Sequence, residues 1–487
     1  MSFLCIDVGT SGCKACIINE KGQRIAQAKQ SYVARMEGAQ AEVDTEQVFL
    51  VCLSAVKALL GQSSYSAHKI EAVAISSLLG YVFLNSQGKP LRPALLYLDT
   101  RATTECVQAF EQVELQKHFP CTGRRLTPEL LAPKLLWLQK HELEHWRNLR
   151  FILGLKDYLV YRFTGELGTD VAHLNYTFLY DVEKNQFNPV LLDWVGLQEH
   201  FFPPCRLPYE VIGGVTRETA QITGLIENTP VVMGSIDGTT AMYGGGMVEE
   251  GTLVWVSGST DVCMTLYSFL VASSLLSQNN SFIPNLYALG GATGLGWGSL
   301  LKLKEQFSFR EDLLFSSLEE IPPGSEGLYV FPGISGERAP YWINNARGAV
   351  VGWGLNHTFL HFLRAFVEGT TYRVKRILLT LKEGGVEVQK VHLLGGGAYW
   401  DTVNQLRTDL LGIPMVKLQE EEGTLLGSAL FAGVGVGKFT SLKQGVQTWV
   451  YPEREYIPDL RLTAEYTPLF LQFEDLLERI YNPTLSV

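Results

Sequence analysis

The sequence predicts an α/β protein in two domains, each built on a mixed sheet with crossover helices. Three observations carry that expectation. Short apolar runs bounded by glycine turns alternate with longer segments whose apolar residues recur at helical spacing. A strand–turn–strand pattern at the start, residues 3–7, Val8-Gly9-Thr10-Ser11-Gly12 and residues 14–19, recurs at residues 252–256, Ser257-Gly258-Ser259-Thr260 and residues 261–267. The chain has 487 residues, 46% of them apolar, which is material for two sizeable cores. The recurrence suggests duplication and divides the chain into residues 1–245 and 246–487.

The elements follow in order. Residues 3–7 and 14–19 are apolar strands, and Asn19-Glu20-Lys21-Gly22 is a hairpin turn into a third strand at 24–31. A helix is expected over 45–60, with Val48, Phe49, Cys52, Val56 and Leu59 on its apolar side and Thr45 as its cap. Residues 70–76 form a buried strand, and residues 81–84 with Gly88 form a hairpin. Helices are expected at 128–140 and 154–164, and a strand at 230–233 ending in Gly234-Ser235-Ile236-Asp237-Gly238. The glycine-rich stretch 244–251 links the domains. In the second half a long helix spans 358–382, stopped by Gly384-Gly385. A strand at 388–394 then runs into Gly395-Gly396-Gly397. A helix at 401–411, a strand at 414–418 and a small-residue helix at 427–434 complete the reading.

Composition excludes several function classes. The formal charge is −10, from 40 Lys and Arg against 50 Asp and Glu, and the basic residues are scattered, so nucleic acid is not an expected partner. No run of 18 apolar residues is present, so no membrane association is expected. The N-terminus has no basic start before Asp7 and does not read as a signal peptide, so a cytoplasmic location is expected. Eight cysteines spread from Cys5 to Cys263 read as free thiols, with Cys13 and Cys16 packed in an apolar strand. Residues 432–438 resemble a P-loop but carry Ala432 at the first glycine and Phe439 after Lys438. No dinucleotide fingerprint or zinc motif occurs.

The stretch that carries chemistry is Asp7-Val8-Gly9-Thr10-Ser11-Gly12-Cys13-Lys14. Asp7 ends a buried strand, where a carboxylate is costly without a cation or a donor. Gly9 and Gly12 let backbone N–H groups turn toward an anion, Thr10 and Ser11 add hydroxyls, and Lys14 adds charge. Gly258, Ser259 and Thr260 offer a second set of donors from the other domain, and two such hairpins would clasp a polyphosphate.

With these segments in place, the sequence resembles the FGGY family of carbohydrate kinases, in a xylulokinase-like pattern. Beyond the Asp7 turn, the matching segments are Gly88-Lys89-Pro90-Leu91-Arg92-Pro93 leading to Asp99-Thr100-Arg101, and Ala132-Pro133-Lys134. Lys156-Asp157-Tyr158, Thr169-Asp170, Asp237, Gly336-Glu337-Arg338-Ala339-Pro340, Arg364-Ala365 with Glu368-Gly369, and Gly395-Gly396-Gly397 follow in the family's order. The resemblance covers nearly the whole chain. It implies two RNase H-like domains of the actin and hexokinase superfamily, with ATP in a cleft and Mg²⁺ as its partner ion. It implies Asp237 as the general base, which also contacts the sugar, and Asp7 as the magnesium residue acting through water. Thr10, Ser11, Lys14, Gly258, Ser259 and Thr260 would hold phosphate, and Gly396, Gly397 and Ala398 the adenine. Asp99 matches the substrate-side acid, and Arg101 a neighbouring charge with a strong reading as a salt-bridge partner. The chain departs from the pattern at Ser77-Leu78-Leu79-Gly80, where xylulokinases carry Gln-Met-His-Gly. Leu78 and Leu79 would give the sugar an apolar contact. The expected partner is a small sugar or polyol, a pentulose such as xylulose first. Gluconate, glycerol, erythritol or a hexulose are alternatives, as is a degenerate ATP-gated binding protein. Homodimerisation is left open.

Overall fold

The computed structural model describes residues 2–62, 67–310, 315 and 318–481. The chain divides into two compact units. The first comprises Met1–Gly244, Asn279–Leu286 and Glu422–Val450, and the second Gly245–Gln278, Tyr287–Glu421 and Tyr451–Val487. A division near residue 245 is present, but two later segments return to the first unit, which a single cut does not capture.

In the first unit a six-stranded sheet runs Val211–Gly214, Pro230–Val232, Ile70–Ser77, Ser2–Gly9, Gly12–Asn19, Arg24–Ser31. Ser2–Gly9 lies antiparallel to Gly12–Asn19 and parallel to Ile70–Ser77. A parallel neighbour needs a crossover, and the helix Thr45–Gln62 supplies it. Strand residues Leu4, Ile6 and Val8 and helix residues Val48, Cys52 and Val56 share one core. The cap of this helix is Asp44, not Thr45: its Oδ1 accepts the N–H groups of Glu46 and Gln47 at 2.8 and 3.0 Å. A smaller sheet places Gly80–Leu84 between Ala94–Leu96 and Phe151–Gly154.

The first hairpin turn is tighter than the five residues expected. Pairing continues to Gly9 opposite Gly12, leaving Thr10 and Ser11 as the turn. Gly12 is required by its neighbour strand, since a Cβ there would lie 2.4 Å from the Gln30 carbonyl oxygen.

The second unit's main sheet includes, in order, Tyr287–Leu295, Thr260–Tyr267, Thr252–Ser257, Lys390–Leu394, Met415–Leu418 and Pro452–Tyr456. Thr252–Ser257 is antiparallel to Thr260–Tyr267 and parallel to Lys390–Leu394, which is parallel to Met415–Leu418. The edge strand Pro452–Tyr456 is antiparallel. The first unit has the same order and the same directions: third, second, first, two parallel neighbours, then an antiparallel edge. The short recurrence in sequence thus marks a repeated sheet. Its crossover helix is Phe359–Glu383, whose Tyr372, Val374, Ile377 and Leu381 pack in the second core.

Two helices of the first unit differ from expectation. Asp237–Gly244 is a helix where none was expected, and the small-residue helix is Gly423–Gly435, starting four residues before 427. They pack backbone on backbone. A Cβ on Gly244 would lie 1.9 Å from the Gly423 oxygen, and one on Gly427 would lie 2.1 Å from the Thr240 oxygen. Gly244 is therefore a packing contact rather than part of a link. Among the described residues no helix is long and apolar enough to cross a membrane.

Candidate active site

The site is built at the carboxyl ends of the first unit's parallel strands, the usual place for ligands in open α/β sheets. Asp7 stands opposite Ser76 on the neighbouring strand, and the Ser76 hydroxyl donates to Asp7 Oδ1 at 2.9 Å. The next strand leaves the sheet through Gly234, at φ +65°, where a Cβ would lie 2.0 Å from the Ile75 oxygen. Ile236 then forms a parallel bridge with Ser77, and Asp237 opens its helix beside them. The geometry thus gathers Asp7, Ser76 and Asp237 at one end of one sheet.

Both carboxyls are half-buried and hold protons tightly. Asp237 is pushed up to about 7, first by burial and then by the charge of Asp7, against a 2.6 Å bond from the Gly238 N–H. Asp7 is pushed up to about 6 by burial, with Glu422 acting in the same sense and Ser76 and Lys14 opposing. A carboxylate poised near neutrality suits proton abstraction.

Thr10 and Ser11 are exposed at the turn, and Gly9 faces open space. Tyr32 anchors the turn: its N–H donates to the Ser11 oxygen at 3.2 Å and its hydroxyl to the Gly9 oxygen. Lys14 is paired with Glu422 at 2.5 Å. Glu422, Tyr32 and Ser76 escaped the sequence reading. Only Ser76 carried a signal, as a hydroxyl at the end of a buried strand.

Leu78 and Leu79 follow directly from the Ser76 strand and are buried, with the Leu78 N–H bonded to the Val8 oxygen at 2.8 Å. Asp99 lies just past the strand Ala94–Leu96. Its side chain has no exposed surface, and its oxygens accept from Arg101 Nε at 2.8 and 2.9 Å, Arg101 Nη2 at 2.6 Å and the Ala41 N–H at 2.8 Å. Arg101 reaches on to Glu42 at 2.6 Å.

In the second unit Gly258 and Ser259 form the hairpin turn and Thr260 begins the returning strand. The Ser259 oxygen accepts from the N–H groups of Gly296 and Gly298 at 3.0 and 3.2 Å. After Lys390–Leu394 the chain turns through Gly395, at φ +93°, into the short helix Gly396–Ala398. Gly396 faces open space, Ala398 is buried, and a Cβ on Gly397 would lie 2.2 Å from Ser257 Oγ. Arg407, also missed, ties these parts together. It donates to the Gly397 oxygen at 2.8 Å and Ser257 Oγ at 3.2 Å, with its guanidinium 4.7 Å from the Trp255 ring centre.

Among the described residues no three His, Cys, Asp or Glu side chains gather as a metal cage. Asp7, with one oxygen bonded to Ser76 and Asp237 nearby, is a donor set for a hard cation that keeps most of its water.

Comparison with known proteins agrees in extent and fold. Residues 2–244 match the N-terminal domain of the FGGY family of carbohydrate kinases, and residues 219–436 match its C-terminal domain. The chain is 28% identical over 487 residues to the xylulose kinase of Bacillus subtilis (strain 168), covering 98% of this chain and 96% of that protein. Its fold is similar to the ligand-bound xylulose kinase of Lactobacillus acidophilus, with a TM-score of 0.92, 22% identity and 99% of each chain covered. It is also similar to the gluconate kinase of Lactobacillus acidophilus, with a TM-score of 0.91, 23% identity and coverage of 99% and 100%. With both domains matched in order along one chain, the protein belongs to the FGGY family of carbohydrate kinases.

Proposed function

We propose that the protein transfers the γ-phosphoryl group of ATP to a hydroxyl of a small ketose or polyol, with a pentulose such as xylulose as first substrate. The observation that carries this reading is Asp237, a carboxyl pushed up to about 7 beside Asp7 at the sheet's carboxyl end. Asp237 accepts the proton of the substrate hydroxyl. The hydroxyl oxygen forms its bond to the γ-phosphorus while the bond to the β,γ-bridging oxygen breaks, and ADP leaves. A bound Mg²⁺, held through water by Asp7, would neutralise phosphate charge. Thr10, Ser11 and Lys14 contact phosphate from the first unit. Lys14 first has to share or leave Glu422. Gly258, Ser259 and Thr260 contribute phosphate donors from the second unit, and Gly396, Gly397 and Ala398 border the adenine.

Leu78 and Leu79 form an apolar wall at the sugar end. Asp99, its oxygens engaged, supports that end by holding Arg101 and the Ala41 backbone. The shared sheet order supports reading both units as RNase H-like in the sense of the actin and hexokinase superfamily.

The test is ADP release from Mg-ATP in the presence of pentuloses, hexuloses, aldonates and polyols. A compound-dependent signal is expected, and its absence across the panel rejects the kinase reading. General-base help is worth about 10² to 10⁴ in rate. Asp237→Asn is accordingly expected to lower kcat by that factor, roughly 3–5 kcal/mol of barrier. Unchanged turnover in that variant rejects the base assignment.

A further inference from the structure

A buried charge cluster lies behind Asp237. Lys156 and Asp157 occupy the first turn of the helix Leu155–Thr164, and Asp170 caps the helix Val171–Asn175. Lys156 Nζ lies 2.5 Å from Asp157 Oδ1 and 2.7 Å from Asp170 Oδ2, with no side chain of the three more than 1% exposed. Buried ion pairs are poor devices for stability, because desolvation offsets the attraction and apolar side chains of similar volume often serve as well. Their geometry is therefore worth reading for what else it holds.

The second oxygen of Asp170 leads toward the site. Asp170 Oδ1 accepts from the Ala172 N–H and from the Ser235 hydroxyl, each at 2.9 Å. Ser235 is fully buried and stands two residues before Asp237. On its other side the same short segment is pressed against the strand Ile70–Ser77, through Gly234 at the Ile75 oxygen and through the bridge of Ile236 with Ser77. Residues 234–236 are thus gripped from two sides where the chain leaves the sheet and before the helix begins. One grip is the sheet. The other is Ser235 on Asp170, itself fixed by Lys156.

We propose that Ser235 and Asp170, anchored by Lys156, are positioning residues that aim the Asp237 carboxylate. The inference rests on the reading of Asp237 as the base. The Asp157 arm of the cluster has a different task. Asp157 Oδ2 accepts from the Gly154 N–H at 2.8 Å and the Thr169 hydroxyl at 2.7 Å, and so secures the helix start and the Thr169 segment. Thr169→Val cuts a buried hydrogen bond of the same cluster without touching the Ser235 link, and serves as the control.

The experiment compares wild type, Ser235→Ala and Thr169→Val. Kinetics use ATP with D-xylulose, or with whichever panel compound the wild type phosphorylates. Amide hydrogen exchange is followed by mass spectrometry on peptides covering residues 234–244 in the free protein. Misplacement of a reacting group by about an ångström costs up to about a hundredfold. Ser235→Ala is expected to lower kcat by about tenfold to a hundredfold on that scale, with KM for both substrates within about twofold. Exchange over 234–244 is expected to quicken in Ser235→Ala and not in Thr169→Val, whose kcat stays near wild type. Unchanged exchange in Ser235→Ala, or equal losses of kcat in both variants, overturns the proposal. A wild type without compound-dependent ADP release rejects the kinase reading itself, and the exchange comparison still decides whether Ser235 holds the segment.

Discussion

Asp7 and Asp237 each keep a proton in the folded chain that the unfolded chain releases near 3.8, the first up to about 6 and the second up to about 7. The folded state therefore binds more protons than the unfolded state between these values. Stability attributable to the pair falls as pH rises from 3.8 through about 7 and is level above. Activity moves in the opposite sense, since a base must be ionised: kcat/KM is expected to rise through pH of about 7 and then flatten. Asp237→Asn should thus raise the melting temperature, with a gain that grows from pH 4 to pH 8, while turnover collapses. Thermal melts across that range check it, and a variant less stable at pH 8 contradicts the assignment. Ser76→Ala removes the hydroxyl that favours ionised Asp7. The expected result is weaker binding of Mg²⁺, seen as a raised half-saturating concentration and more pronounced at pH 6.5 than at pH 8. Asp237 was legible only through the family resemblance, because by itself an Asp-Gly after a strand reads equally well as a turn. Lys14 with Glu422 and Ser235 with Asp170 were not, since their partners stand 408 and 65 residues away and no spacing announces them.

At the scale of elements, local pattern and structure agree where hydrogen bonding or periodicity decides. The strand Arg24–Ser31 and the helix Asp401–Leu411 have the bounds that their sequences indicate. The helix Asp237–Gly244 does not announce itself, because Gly238, Thr239, Thr240 and Gly244 are weak helix formers. Tertiary packing overrides that preference: Gly244 and Gly427 let the helix and Gly423–Gly435 touch through their backbones. A methyl group at residue 427 would meet a backbone oxygen, which cannot turn aside as a side chain would. Gly427→Ala is expected to cost about 1–3 kcal/mol by overpacking. Because the displaced helix begins at Asp237, kcat should fall with it. Thermal melts and turnover measured together check this, and a stable variant with full turnover contradicts it. The same contact explains why Gly244 reads as a link from composition and acts as a packing surface in the fold.

At the scale of the whole molecule, the repeated sheet was partly legible and the discontinuity of the first unit was not. Two glycine hairpins at matching places announced the repeat. The return of Glu422–Val450 to the first unit left no local mark, because the helix Gly423–Gly435 looks like any buried apolar helix until its partners are known. That helix packs on Ser2–Gly9, Ile70–Ser77 and Asp237–Gly244. A fragment of residues 1–244 should therefore fail to unfold cooperatively, and joining residues 422–450 to it by a flexible linker should restore a cooperative melt. Circular dichroism checks both, and a cooperative transition in the shorter fragment would show that the returning helix is dispensable. The same connectivity bears on how the chain is made. At roughly 5–20 residues per second, the roughly 200 residues between the last strand of the first unit and its closing helix take the ribosome about 10–40 s to deliver. During that interval the nascent first sheet lacks the helix that packs on Ser2–Gly9 and Ile70–Ser77, a window in which holding chaperones would matter most.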